Sequence, residues 1–419
     1  MRLFLKIILS YFLWTPQLIG QHLKKDFYTL AEKHDMMGGA LITFYQNKII
    51  DTLYYGKADY KRTLYVNNKT KFRIASISKI ITAMAAMQLA EKGYLNLDED
   101  ISNILGYPII NPNHTNTHIT AKMLLSHRSS VIDGVAYDSF LMASGKDPVP
   151  NLSELLTPKG TYYTTVIFSK HKPGSYFDYA NINFVILGTI IEKISGQRFD
   201  EYCLKNILQP LGMNASFNVN DLENINEVAV LYRKSKNSWV PQFDDYHGKK
   251  PIYKNLDDYL PGTNGARFGP QGGLRCSALD LAQLLMYLMN PSDHNIAVLQ
   301  PESISTMLDN HWSFDEKNGN SYNGLFRSWG LGIHRITSTP KNDIIFSKSK
   351  SLFGHAGEAY GLFSDAFADP ENKIGLVFIT NGIGRGDEQG TNSSFYKIEE
   401  EIFNAIENSD LFKECCGKD

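Results

Sequence analysis

Phe72-Arg73-Ile74-Ala75-Ser76-Ile77-Ser78-Lys79, running on to Glu91-Lys92-Gly93, is the stretch on which the reading of this chain turns. After Ser76 the apolar residues Ile77, Ile80, Ile81 and Met84 fall at the i, i+3, i+4, i+7 spacing of a helix, and Gly93 supplies a stop. The spacing predicts a helix opening at Ser76, with Lys79 one turn on along the same face. Unpaired backbone N–H groups and the helix dipole favour negative charge at such an opening. A hydroxyl beside an amine there is one way to build an activated nucleophile. The pattern alone is cheap, because Ser-x-x-Lys recurs at Ser169/Lys172, Ser338/Lys341, Ser347/Lys350 and Ser394/Lys397. Its surroundings have to single out Ser76.

Upstream, residues 25–37 read as a short amphipathic helix leading to Gly38-Gly39. Ala40–Tyr45 and Ile49–Tyr55 then flank the polar turn Gln46-Asn47-Lys48 as a β-hairpin. Downstream, helical patterns dominate to about residue 285: a short helix ending near Leu105, another over 120–126, a strong one over 181–195 closed by Gly196, one over 199–207, and 277–289 with Ser277 as N-cap. Residues 217–268 show little periodicity and read as long excursions. β patterning returns at 329–333, 343–346, 361–367 and 374–380, before a terminal helix over 394–408. Strands at both ends and helices between predict an α+β chain. Its antiparallel sheet is built from both chain ends with flanking helices, and a mainly helical lobe is inserted at about 85–285. Residues 21–410 would form one domain and 411–419 a polar tail. A site belongs in the cleft between sheet and lobe, and Ser76 stands at that junction.

The 419 residues are 43% hydrophobic, 21% charged and 12% aromatic, with a formal net charge of −2, the composition of a globular protein with a sizeable core. Lys and Arg are dispersed, which argues against a nucleic-acid partner. The basic start Met1–Lys6 and the apolar run Ile7–Trp14, followed by Pro16 and Gly20-Gln21, read as an export signal cleaved after Gly20. Kept, residues 1–20 would be a membrane anchor, and the protein periplasmic or secreted in either case. Cys203, Cys276, Cys415 and Cys416 are too few for a disulfide framework, and no His or Cys spacing suggests a metal. No cofactor is expected, and the sequence sets no oligomeric state.

A Ser–Lys pair needs a proton shuttle, oxyanion donors and a docking strand. Tyr179-Ala180-Asn181 stands at the start of the strong helix, and Gly354-His355-Ala356-Gly357 near the last strands. In this order and spacing, Ser76-Ile77-Ser78-Lys79, Tyr179-Ala180-Asn181 and His355-Ala356-Gly357 resemble the three motifs of serine β-lactamases and penicillin-binding proteins. Tyr-x-Asn and His-x-Gly are similar to the branch holding class C β-lactamases, D,D-carboxypeptidases, D-amino-acid peptidases and esterases. Leu124–Ser129, Lys172-Pro173-Gly174 and Pro270–Leu274 support the resemblance, which spans about residues 30–405.

The resemblance implies the β-lactamase/transpeptidase-like fold and a serine hydrolase. Ser76 would form an acyl-enzyme, and either Lys79 or Tyr179 would be the general base. Asn181 would hydrogen-bond Lys79 and a substrate amide. Backbone N–H groups of Ser76 and Glu358, past Gly357, would hold the oxyanion. His355 departs from the lactamase-type lysine. A histidine is mostly neutral near pH 7, so it binds a substrate carboxylate less firmly. Together with a negative Glu358 beside the site, this favours a small-molecule ester, or an amide such as a D-amino-acid peptide, over a β-lactam. A true β-lactamase, or a non-catalytic penicillin- or peptidoglycan-binding protein, is the alternative.

Overall fold

The structure is a computed structural model. It describes residues 21–419 apart from 253–255, 257, 294–296, 350–351, 387, 411 and 414–419. The expected signal at residues 1–20, Cys415, Cys416 and most of the polar tail lie outside the described residues.

Among the described residues, nine strands form one antiparallel sheet. They are β1 (Met36–Tyr45), β2 (Lys48–Asp59), β3 (Leu64–Tyr65), β4 (Trp312–Ser313), β5 (Ser328–Trp329), β6 (His334–Arg335), β7 (Phe353–Ala359), β8 (Leu362–Asp369) and β9 (Ile374–Ile383). Their spatial order is β3-β2-β1-β9-β8-β7-β6-β5-β4. The two chain ends therefore meet at the centre, where Ala40 faces Ile379 and Leu41 faces Phe378.

Side chains alternate across the sheet with period two, and both faces are covered. Ala40, Ile42, Phe44, Val377 and Ile379 enter the core shared with the helical lobe, whereas Leu41, Leu376 and Phe378 enter a second core. Helices α1 (Gln21–Lys33) and α5 (Lys397–Glu407) cover this second face. On the other face lie α2 (Ser78–Glu91), α3 (Ile182–Ser195) and α4 (Ala278–Met289), with α3 packed on α2 and α4 on β1, β8 and β9. Ser277 caps α4, and Asp280 completes a capping box.

The fold has the α+β organisation that the sequence implies, with local differences, among them that of residues 329–333 only Trp329 lies in a strand. Helix α2 is no one-sided amphipathic helix, because every residue from Ser78 to Leu89 is buried. Residues 343–346 form no strand. Ile345 and Phe346 pack into the second core, while Asp343 accepts hydrogen bonds from Thr337 and Thr339, so their apolar pattern reports packing. Inside the stretch read as an excursion, Leu231–Ser235 and Ser238–Phe243 form a two-stranded ribbon whose polar side chains hide its pairing.

Candidate active site

Ser76 lies in a single 3₁₀ turn, Ala75–Ile77, that runs directly into α2. The preceding Ala75 has φ +46°, in the left-handed region that costs a residue with a Cβ roughly 1–2 kcal/mol. Such strain is held only where the surroundings over-determine it. Here they do: Ile74 N–H donates to Leu274 O, the Ser364 hydroxyl to Ile74 O, and Leu274 N–H to Ser78 Oγ. Lys79 falls in the first turn of α2 rather than its second, because the helix opens at Ser78 instead of Ser76.

The Lys79 ammonium is fully buried and has three oxygen partners: Ser76 Oγ at 2.9 Å, Asn181 Oδ1 at 2.9 Å and Gln271 O at 2.8 Å. It also lies 5.0 Å from the centroid of the Tyr179 ring. Burial lowers its pKa to about 7, against a smaller opposing pull from Asp133. The amine is thus available in both protonation states near neutrality.

The Tyr179 hydroxyl lies close enough to the Ser76 side chain to interact with it. Burial pushes its pKa well up, so the phenol keeps its proton. The ring stacks on Phe326, with centroids 5.1 Å apart, and lies against His127 at 4.3 Å. His127 Nδ1 accepts the Ala180 N–H, which fixes the strand of chain carrying Tyr179 and leaves the proton on Nε2.

Asn181 is oriented by a residue that the sequence reading missed. Asp133 Oδ2 accepts from both Asn181 N (2.8 Å) and Asn181 Nδ2 (2.9 Å), and Oδ1 accepts from Ile182 N (2.9 Å). Asn181 does not cap α3 with its own side chain, so Asp133 caps it from 49 residues upstream. Nothing local marks that role, since Asp133-Gly134 reads as an ordinary turn. Ser364 and His127 were missed for the same reason: their partners are distant in sequence.

The strand β7 runs past the nucleophile. A Cβ on Gly357 would lie 3.1 Å from Ser76 N, 2.8 Å from Ile74 O and 2.5 Å from Ser364 Oγ, so only glycine allows this approach. His355 is buried beside Trp329 (5.4 Å) and Tyr179 (6.0 Å), and its Nε2 has no hydrogen-bond partner among the described residues. Burial, with the Lys79 charge adding to it, holds its pKa well below the usual histidine value. It is a neutral wall of the site. Glu358 corrects the expectation of a negative charge beside Ser76. On β7 its side chain points to the opposite face of the sheet, where the exposed carboxylate accepts from Tyr396 Oη at 2.8 Å. Only its backbone remains on the side of the site. Among the described residues no group of three or more His, Cys, Asp or Glu could hold a metal ion.

The profile of the beta-lactamase family matches residues 19–394. The chain belongs to the beta-lactamase family. Protein flp of Staphylococcus aureus (strain MRSA252) is 25% identical over 357 residues, which are 84% of this chain and 60% of that protein. The chain thus spans about 60% of the length of the curated relatives it matches first. Among solved structures, the octameric penicillin-binding protein homologue from Pyrococcus abyssi superposes with a TM-score of 0.68 at 24% identity, covering 92% of this chain and 76% of that one. EstCE1, a hydrolase with promiscuous acyltransferase activity, also gives 0.68 at 20% identity, covering 93% and 99%. These likenesses show the β-lactamase/transpeptidase-like fold.

Proposed function

We propose that this protein is a serine hydrolase that cleaves a carboxylic ester or an amide through an acyl-enzyme on Ser76. The observation that carries the reading is the 2.9 Å contact between Ser76 Oγ and an amine whose pKa burial lowers to about 7. Neutral Lys79 takes the Ser76 proton as Oγ bonds to the carbonyl carbon. The oxyanion so formed is held by the backbone N–H groups of Ser76 and Glu358. The proton then passes through the Tyr179 hydroxyl to the leaving oxygen or nitrogen, the bond to it breaks, and the acyl group stays on Ser76. Water repeats the sequence and releases the acid.

The protonated phenol of Tyr179 supports Lys79 as the base and Tyr179 as the relay. A neutral, buried His355 gives a substrate carboxylate no fixed positive charge, which favours esters and neutral amides, D-amino-acid amides among them, over β-lactams. Export guided by residues 1–20 is part of the same reading. The test is a panel of p-nitrophenyl esters, D-amino-acid amides and nitrocefin on wild type and Ser76→Ala. Short-chain esters are expected to show the higher kcat/KM; a higher value for nitrocefin would reject the ester preference.

A further inference from the structure

Arg73 stands three residues before Ser76, and one loop holds both it and the lysine of the site. Gln271 O accepts from Lys79 Nζ, and the adjoining Gly272 O accepts from Arg73 Nε at 3.3 Å. The guanidinium carbon lies 4.3 Å from the centroid of the Phe243 ring and 5.8 Å from that of Tyr360. Those two rings stack on each other at 4.9 Å. Both are exposed and Arg73 is half-buried, so the group opens to solvent. Tyr360 reaches it through an unfavourable backbone. With Gly361 it forms the two-residue turn between β7 and β8, at φ +56° and +92°. Such a turn favours Asn-Gly, and a residue with a Cβ in the left-handed region costs roughly 1–2 kcal/mol. The ring is thus held beside Arg73 at a cost, as strain is held at functional sites.

The cation has no counter-charge of its own. Arg73 makes no ion pair among the described residues. Asp244, the carboxylate whose charge acts on it, is already occupied. Arg275 donates to Asp244 through Nε at 3.2 Å and Nη2 at 2.6 Å, and Tyr246 Oη does so at 2.9 Å. Burial, with the Arg275 charge adding to it, lowers the Arg73 pKa to about 10, so the guanidinium stays charged at neutral pH. Its Nη1 is enclosed without a partner, whereas Nη2 is neither hydrogen-bonded nor enclosed. A partly desolvated guanidinium is costly until an anion pairs with it, and its planar fork matches a carboxylate.

We infer that Arg73, clamped by Phe243 and Tyr360, binds a carboxylate that the substrate carries away from its scissile bond. The inference deepens the proposed acyl-enzyme reading and rests on it. It leaves the effect of His355 untouched, because the two groups stand at opposite ends of the strand segment. His355 precedes Gly357, whereas Tyr360 follows the oxyanion residue Glu358 by two positions, about 7 Å further along the chain. A carboxylate next to the scissile bond meets a neutral imidazole; one further out meets a cation.

The experiment compares a charged with a neutral ester in two pairs, each rate corrected for spontaneous hydrolysis. In the first pair the acyl part varies: p-nitrophenyl hydrogen adipate against p-nitrophenyl methyl adipate. In the second the leaving group varies: 4-carboxyphenyl acetate against its methyl ester. The carboxylate is expected to raise kcat/KM by roughly tenfold or more in one pair, as a hydrogen bond to a charged group does. Which pair responds tells which end of the substrate carries the anion. Arg73→Gln is expected to bring that ratio to about one or below; because the readout is a ratio, a general loss of activity cancels. In wild type the preference is expected to shrink as salt rises from about 0.05 M to about 0.5 M, which serves if Arg73→Gln does not fold. No preference for the carboxylate in either pair, or one that neither salt nor Arg73→Gln reduces, overturns the inference while the hydrolysis stands. If none of these esters acylates Ser76, the proposed function falls and the inference with it.

Discussion

Asp133 takes both the backbone N–H and the side-chain NH₂ of Asn181 on one carboxylate oxygen, so the Asn181 amide can turn only its oxygen toward Lys79. A residue outside the three sequence motifs therefore sets the geometry of one inside them. Asp133→Ala removes the α3 cap, which costs about 1 kcal/mol of stability, and frees the amide to rotate. We expect kcat to fall by roughly 10²-fold or less, since positioning and not the nucleophile is lost. Asp133 also opposes the lowering of the Lys79 pKa, so its removal is expected to move the acid limb of the pH profile to lower pH. A pH–rate profile of the variant decides this; an unmoved limb would restrict Asp133 to holding the helix.

The rate should report the same lysine in wild type. Lys79 acts as a base only when neutral, and burial brings its pKa to about 7. Activity is therefore expected to rise with pH through about 7 and to fall away below it. Lys79→Arg, which cannot lose its proton, is expected to lose at least ~10³-fold at every pH. Measuring kcat/KM for p-nitrophenyl acetate, corrected for spontaneous hydrolysis, is sufficient.

Gly357→Ala tests the strand that faces the nucleophile. The added Cβ meets two main-chain atoms, Ile74 O at 2.8 Å and Ser76 N at 3.1 Å, neither of which can swing aside. We expect β7 to shift and one oxyanion donor to be misplaced, costing roughly 10²–10³ in kcat with little change in KM. A KM effect without a kcat effect would place the strand in ground-state binding only.

How far the sequence reached can be judged residue by residue. Ser76 and Lys79 were legible from helix spacing, Tyr179 and Asn181 from motifs that resemble those of a known family, and the structure brings all four together. The hairpin of β1 and β2 was legible from alternation about a polar turn. Asp133, His127 and Ser364 were not, because each acts on a partner far along the chain. Glu358 was misread for another reason: alternation along a strand decides which face a charge occupies, and the motif does not carry that phase. The apolar pattern at 343–346 could not distinguish a buried loop from a strand.

Stability should fall as pH rises, for a reason remote from the reaction. Asp365, fully buried on β8, and Glu399, on α5, are neighbouring buried carboxyls between the sheet and its covering helix. Burial raises both carboxyls, Glu399 from 4.5 to about 8, and the nearby Glu358 charge adds to it. The folded protein thus keeps a proton that the unfolded chain releases. The stabilisation is complete below pH 4.5 and is lost as pH climbs through about 8. Glu399→Gln is expected to flatten that decline, raising Tm at pH 8 by roughly 2–4 °C for each kcal/mol recovered, with little change at pH 5. Scanning calorimetry at the two pH values checks it; equal shifts at both would remove the carboxyl pair as the cause.

The most direct measurement of the central claim is the intact mass of the protein after reaction with a fluorophosphonate, followed by peptide mapping. A single adduct on Ser76, absent from Ser76→Ala and strongly reduced in Lys79→Arg, is the predicted result. An undiminished adduct on the Ser76→Ala protein, or none on wild type, would contradict the account.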